Sequence, residues 1–269
     1  MKIIVSHDVD HLYLKDHLAD TYIPGVFLKG FRAMLRENIS MKQFAKRFSF
    51  KLNNVKELHQ FNKQYRVKET FFFGMRTGLN LSYNWQQAKP FIQYLLDENV
   101  LIGLHGMGYE SSELLKEEAM RLKTMLPENY SLGIRNHYLR KNDDTFRIIN
   151  DAGFAFDSTE YKIALPYKDS DLWEIPISIM DAGFISPTAN DLNAIKQKTL
   201  EIFEQAIAER LPFFVINFHD VYFSDAYPDN RNWYTWLIEY LHANKFEFID
   251  FSEAIKFLNI AVAEKTASS

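Results

Sequence analysis

Asp8 and Asp10, one residue apart, begin a set of polar residues that recurs just after short apolar runs: His105, Arg135 with His137, Asp181, and His219 with Asp220. The chain has no cysteine, so a metal would have to be held by imidazole and carboxylate groups, donors that suit Zn²⁺ and harder divalent ions. A catalytic centre of that kind needs about three protein ligands and an open position for water. Singly, these residues have plainer readings. Asp-x-Asp after a strand is a common turn or helix cap, His105 fits a hydrogen-bonded loop histidine, His137 a strand-end residue and Arg135 a surface ion pair. Their joint placement at strand ends is what points to a site. His17, His59 and His242 lie in helical or inserted segments and read as structural, and the clusters Phe71-Phe72-Phe73 and 246–251 read as strand core.

The elements that must position these groups follow from hydrophobic periodicity. Short runs rich in β-branched and aromatic residues at 3–6, 70–73, 101–104, 132–134, 155–157, 173–177, 213–217 and 246–250 predict strands. Segments 55–65, 85–97, 112–125, 143–151, 192–209, 233–243 and 252–258 have helical periodicity. About eight strands alternating with helices predict an α/β fold, a closed or nearly closed parallel barrel whose post-strand loops converge on one mouth. No repeat, low-complexity tract or linker divides the chain, so residues 1–269 read as one domain, a length α/β barrels accommodate. Disorder is expected only in the tail 263–269.

One irregularity is a long insertion at about 12–52, where 26–35 and 41–50 have helical periodicity. From Lys15 to Lys51 the basic residues outnumber the acidic by eight to three. The insertion reads as a basic helical flap, either a solvated lid face or a surface that recruits anionic substrate or membrane lipid. Over the whole chain, 47% hydrophobic and 25% charged residues fit a globular protein with a sizeable core. A net charge of −4 argues against a nucleic-acid partner. No secretory leader and no apolar run of about 18 residues is visible, so a cytoplasmic location is expected.

Several segments together resemble the polysaccharide deacetylases of the NodB-like superfamily. Ile4-Val5-Ser6-His7-Asp8-Val9-Asp10 is similar to the first motif of that family and Glu69–Gly74 to its second strand. Leu104-His105-Gly106-Met107-Gly108-Tyr109 resembles the histidine motif, Ile134-Arg135-Asn136-His137-Tyr138-Leu139-Arg140 the arginine motif, and Asn217-Phe218-His219-Asp220 the last motif. The resemblance runs in order from residue 3 to about 255. It implies a distorted (β/α) barrel of about seven to eight parallel strands. It also implies Asp8 as general base, Asp10 and His105 as metal ligands, Arg135 as the partner of Asp8, and His219 as the acid that protonates the departing amine. The family's usual second histidine, four residues after the first, is replaced here by Tyr109, as in a bacterial branch reading His-x-x-x-Tyr. The third ligand is then assigned to His137; His7 or His11 is an alternative, and a site without metal another. Tyr109, Tyr138, Asp181 and Asp220 are the candidate substrate-binding residues.

The activity this implies is a metal-dependent hydrolase, with zinc the expected cofactor, removing an N-acyl group from an amino sugar. With no leader visible, the expected partner is a nucleotide- or lipid-linked intermediate of surface polysaccharide biosynthesis, with peripheral membrane contact through the basic insertion. The alternatives are a non-catalytic carbohydrate-binding member with a degenerate site and a hydrolase of a non-sugar amide.

Overall fold

Apolar runs become strands and periodic segments become helices, in the order in which the sequence alternates them. The computed structural model describes residues 1–36, 38–185 and 191–267. After β1 (Lys2–Val9) come a short 3-10 turn, α1 (Tyr22–Leu35), α2 (Met41–Lys46) and α3 (Val55–Gln64). Strand and helix then alternate as β2 (Glu69–Gly74), α4 (Lys89–Asp97), β3 (Leu101–Gly106), α5 (Ser112–Lys123), β4 (Ile134–Asn136), α6 (Thr145–Ala152) and β5 (Phe156–Asp157). Three short strands follow without a helix between them, β6 (Tyr167–Asp169), β7 (Leu172–Glu174) and β8 (Ile179–Met180). The chain continues through α7 (Leu192–Ala208), β9 (Phe213–Asn217), α8 (Pro228–Ala243), β10 (Phe248–Ile249) and α9 (Phe251–Ala267).

The strands lie in the order β6-β7-β5-β4-β3-β2-β1-β9-β8, with β10 also on β1. Every pairing is parallel except that of β6 with β7. The stretch between β7 and β8 passes from one side of the sheet to the other. The Ile175 N–H donates to the Asp157 carbonyl at 2.9 Å and the Ser178 N–H to the Val215 carbonyl at 2.8 Å. That crossing curls the sheet into a distorted barrel. Two strands escape periodicity analysis: β6 is a polar, largely exposed Tyr-Lys-Asp, and β8 merges with the apolar run after β7. The tail expected to be disordered is helical as far as Ala267, its Ala, Glu and Lys residues being good helix formers; residues 268–269 lie outside the described residues.

Alternation along the strands separates two cores. Ile3, Val5, Phe71, Phe73, Phe214 and Ile216 pack outward against the helices. Ile4, Phe72, Phe156, Trp173, Phe213 and Val215 point into the barrel, where Phe251 and Leu258 of α9 join them. Phe251 stacks on Phe156 with ring centroids 4.7 Å apart and planes 15° apart. A Cβ at Gly103 would collide with the Phe72 ring and one at Gly133 with Phe156, so these glycines make room for the aromatic floor. Above that floor the inward positions of β1, β3, β4 and β9 turn polar, and there the site begins.

Candidate metal centre and active site

Asp8 is the next inward residue after Ile4 and Ser6, and it is buried. Its Oδ1 accepts from Arg135 Nη1 at 2.9 Å and its Oδ2 from Asn217 Nδ2 at 2.7 Å. The same Nη1 donates to Asn217 Oδ1 at 2.8 Å, while Nε and Nη2 bond the carbonyl and hydroxyl of Ser158 at 2.9 and 3.0 Å. The guanidinium lies 4.5 Å above the Phe72 ring, fixing it between floor and carboxylate. Burial pushes the Asp8 carboxyl up, but Arg135, with His105 and His219, brings its pKa down to about 2.

Asp10, His105 and His137 bring one ligand atom each to a common point at the top of β1, β3 and β4. Asp10 Oδ1 lies 3.2 Å from His105 Nε2 and 3.3 Å from His137 Nδ1, and those two nitrogens are 2.9 Å apart. Ligands about 2.0–2.1 Å from a tetrahedral Zn²⁺ stand roughly 3.3 Å from one another. The far nitrogens fix the tautomers of the neutral rings. His105 Nδ1–H donates to the Arg135 carbonyl at 3.1 Å and His137 Nε2–H to the Leu79 carbonyl at 3.0 Å, and a carbonyl can only accept. Lone pairs of two imidazoles and a carboxylate therefore face each other, and Asp10 Oδ1 is buried without a hydrogen-bond donor. Such a cluster needs a cation or shared protons; the donor set fits a divalent metal. Leu79, Tyr138 and Leu139, flanking His137 in space and sequence, hold φ of +48°, +56° and +52°. Strain of that kind costs about 1–3 kcal/mol per residue and collects where geometry serves a site.

His219 stands across the cavity. Its Nδ1 donates to Asp181 Oδ1 at 2.7 Å, and its backbone N–H donates to Asp181 Oδ2 at 2.9 Å. Its Nε2 is 3.9 Å from Asp8 Oδ2 and 3.8 Å from Asp10 Oδ2. Burial favours the neutral ring, but Asp181, then Asp10 and Asp8, outweigh it and lift the pKa to about 10. Asp8, Asp10, His105, His137, Asp181 and His219 all line one cavity of about 680 Å³.

The other sequence candidates distribute differently. Tyr138 lines the cavity and is exposed. Tyr109 does not line it: its ring lies under Arg140, whose Nη2 donates to the hydroxyl at 3.0 Å. Asp220 is buried behind the site, accepting the Asn54 N–H at 2.8 Å, and burial raises its pKa to about 8. Asp181 contacts the cavity, but its carboxylate is committed to His219. His7, one residue out of phase with Asp8, faces the helices, held by the Phe218 carbonyl and Glu69 at 2.9 Å each, so it is no ligand. Glu69 also accepts from His59 at 2.7 Å, a structural role for that histidine. His11 reaches the cavity but turns its Nδ1 to His17 Nε2, 3.1 Å away, and His17 Nδ1 meets Asp20 at 2.7 Å. In the neutral pair, His11 Nε2 presents a hydrogen-bond acceptor to the cavity, and burial lowers the His11 pKa to about 3. His17, which reads as remote in sequence, therefore orients a cavity residue. Asn217, the clamp between Asp8 and Arg135 at the end of β9, is signalled only by its place at the head of Asn217-Phe218-His219-Asp220.

No protein-family model and no curated protein matches the sequence. Solved structures do. One described as a polysaccharide deacetylase from Mycobacterium smegmatis is 17% identical, with a TM-score of 0.65 over 96% of this chain and 90% of that one. Another so described, from Pseudomonas aeruginosa PAO1, is 16% identical, with a TM-score of 0.62 over 94% and 88%. A mutant of a CE4 family pseudoenzyme is 12% identical, with a TM-score of 0.51 over 94% and 67%. The chain thus has the NodB-like fold of polysaccharide deacetylases, as its motif resemblance implies. The pseudoenzyme shows that this fold alone does not determine activity.

Proposed function

We propose that the chain is a metal-dependent hydrolase that removes an acyl group from the nitrogen of an amino sugar. The observation that carries this reading is the convergence of three lone pairs from Asp10, His105 and His137, opposite His219 and beside Asp8. Two imidazoles and a carboxylate are a donor set for Zn²⁺. A divalent cation held there supplies Lewis acidity toward the acyl oxygen and a lowered pKa for water. Asp8, kept in its ionised form by Arg135 and held by it and Asn217, takes the proton of the attacking water. His219, protonated and oriented by Asp181, delivers a proton to the departing nitrogen as the carbon–nitrogen bond breaks, leaving a carboxylic acid and an amine. Its Nε2 lies on the cavity side, just under 4 Å from Asp8 and Asp10, so acid, base and candidate metal ligand face the same end of the cavity.

His137 takes the ligand place that Tyr109 vacates, and Tyr138 and His11 are placed to meet sugar hydroxyls. The natural substrate class is an N-acetyl amino sugar carried on a nucleotide or a lipid. Acetate release from UDP-linked and lipid-linked N-acetyl sugars tests this, beside the His105→Ala/His137→Ala and Asp8→Asn variants. Turnover should be lost in both, with metal retained in Asp8→Asn only. Ester or non-sugar amide hydrolysis alone would defeat the sugar reading, and sugar binding without turnover would favour a carbohydrate-binding protein.

A further inference from the structure

The helix α1 has three faces rather than the two of an ordinary amphipathic helix. At about 100° per residue, Ile23, Val26, Gly30, Ala33 and Met34 share the arc packed against the protein. Pro24, Phe27, Leu28, Phe31 and Leu35 share a second arc, and all five are exposed. Leu28 is 50% and Leu35 66% accessible, and Phe27 and Phe31 stack with centroids 6.0 Å apart and planes at 3°. Arg32 and, beyond it, the capping Arg36 flank that arc on one side, and among the described residues no ion pair engages them. Three other basic residues of the segment are occupied: Lys46 pairs with Asp225, Lys51 with Glu57, and Arg47 lies over the Tyr227 ring. The same helix walls the cavity, since Thr21, Tyr22, Gly25, Val26 and Lys29 line it.

An apolar arc flanked by cations is the chemistry of a helix that lies in the boundary between lipid headgroups and acyl chains. We infer that α1 docks the protein peripherally on an anionic bilayer, apolar arc inward and Arg32 and Arg36 at the phosphates, and that the substrate is the lipid-linked sugar rather than the nucleotide-linked one. The second half rests on the hydrolase reading; the first does not. A soluble nucleotide would use the cations but give no reason for five exposed apolar side chains. A second copy of the chain would cover them but would bring like-charged borders together. Among the described residues no helix is long and apolar enough to cross a membrane, so the contact is one of surface and not of span.

The test is co-sedimentation of the full chain with phosphatidylcholine vesicles, with and without phosphatidylglycerol. Binding is expected to the anionic vesicles and to weaken with salt. Phe27→Ser/Phe31→Ser/Leu35→Ser and Arg32→Glu/Arg36→Glu should each reduce it by at least about tenfold. Both variants should keep the stabilisation by added Zn²⁺, which shows that fold and centre are intact. Absence of binding to anionic vesicles, or equal binding by wild type and both variants, overturns the docking. So does a solution dimer that the phenylalanine variant dissociates while vesicles go unbound. UDP-linked sugar turned over as well as lipid-linked overturns the substrate assignment. No turnover of either overturns the hydrolase reading, whereas vesicle binding is read without turnover.

Discussion

Replacing His137 with alanine removes one of three converging donors and should nearly abolish the response of stability to metal. For a ligand that binds only the folded chain at one hundred times its dissociation constant, the stabilisation is about 2.7 kcal/mol. Unfolding entropy of roughly 2 cal/mol/K per residue gives a chain of this length about 0.6 kcal/mol per degree, so wild type should melt about 5 °C higher with Zn²⁺ than with chelator. Altering an outer hydrogen-bond partner of a ligand costs about 10–100-fold in metal affinity, and loss of the ligand should reach at least the upper figure. At the same metal concentration His137→Ala would then sit near its dissociation constant, with about 0.4 kcal/mol left, under about 1 °C. The readout is the difference between paired melts, with and without chelator, so a change in the stability of the metal-free variant does not enter. The wild-type response should also weaken toward acid pH. Burial favours neutral His137, but Asp10 outweighs it and raises its pKa, and the protonated ring cannot ligate. Equal shifts in wild type and variant, or none in wild type, would refute the assignment of His137.

Arg135→Met should leave Asp8 buried without its cation and cost about 3–5 kcal/mol in urea unfolding. Asp8→Asn/Arg135→Met should recover much of that loss, and an additive double variant would contradict the pairing. Asp181→Asn should lower the pKa of His219 by roughly 1–3 units. Because His219 acts in its protonated form, the alkaline limb of the rate profile should move down in pH by a similar amount; an unmoved limb would count against His219 as the acid. His17→Leu removes the acceptor of His11 Nδ1–H and should raise KM by roughly two- to tenfold with kcat little changed, the worth of one hydrogen bond. A fall in kcat at constant KM would contradict a positioning role.

The barrel strands were legible in sequence because each long one buries both faces and reads as a continuous apolar run, as in Phe213–Asn217, where expected and observed limits coincide. The equally short β5 and β10 were legible because they lie inside apolar runs, whereas the antiparallel β6, on the sheet edge, carries no apolar signal and β8 merges with the run after β7. The residues of the site were legible for a related reason: polar side chains directly after buried strands have few structural uses. What could not be read was direction. His7, Asp8 and Asp10 are nearly adjacent in the chain, yet strand alternation sends His7 to Glu69 and the aspartates to the cavity. Nor could sequence spacing place Tyr109 outside the cavity, join His17 to His11, or reveal the apolar arc of α1, which exists only once the inward face of that helix is known.

β1 pairs along its length with β2, β9 and β10, so Ile3 lies beside both Phe214 and Phe248. The strand that carries Asp8 and leads into Asp10 therefore has one edge completed by partners from the far end of the sequence. Contacts of such separation are slow to form, because the loop entropy must be lost before the pairing is gained. During synthesis β1 can pair with β2 early, but its other edge stays open until almost the whole chain has emerged. Asp10, His105 and His137 stand at the ends of β1, β3 and β4, which β2 joins without β9 or β10, so the three donors can assemble early, whereas Asn217 and His219 join them only after the far end of the chain has docked.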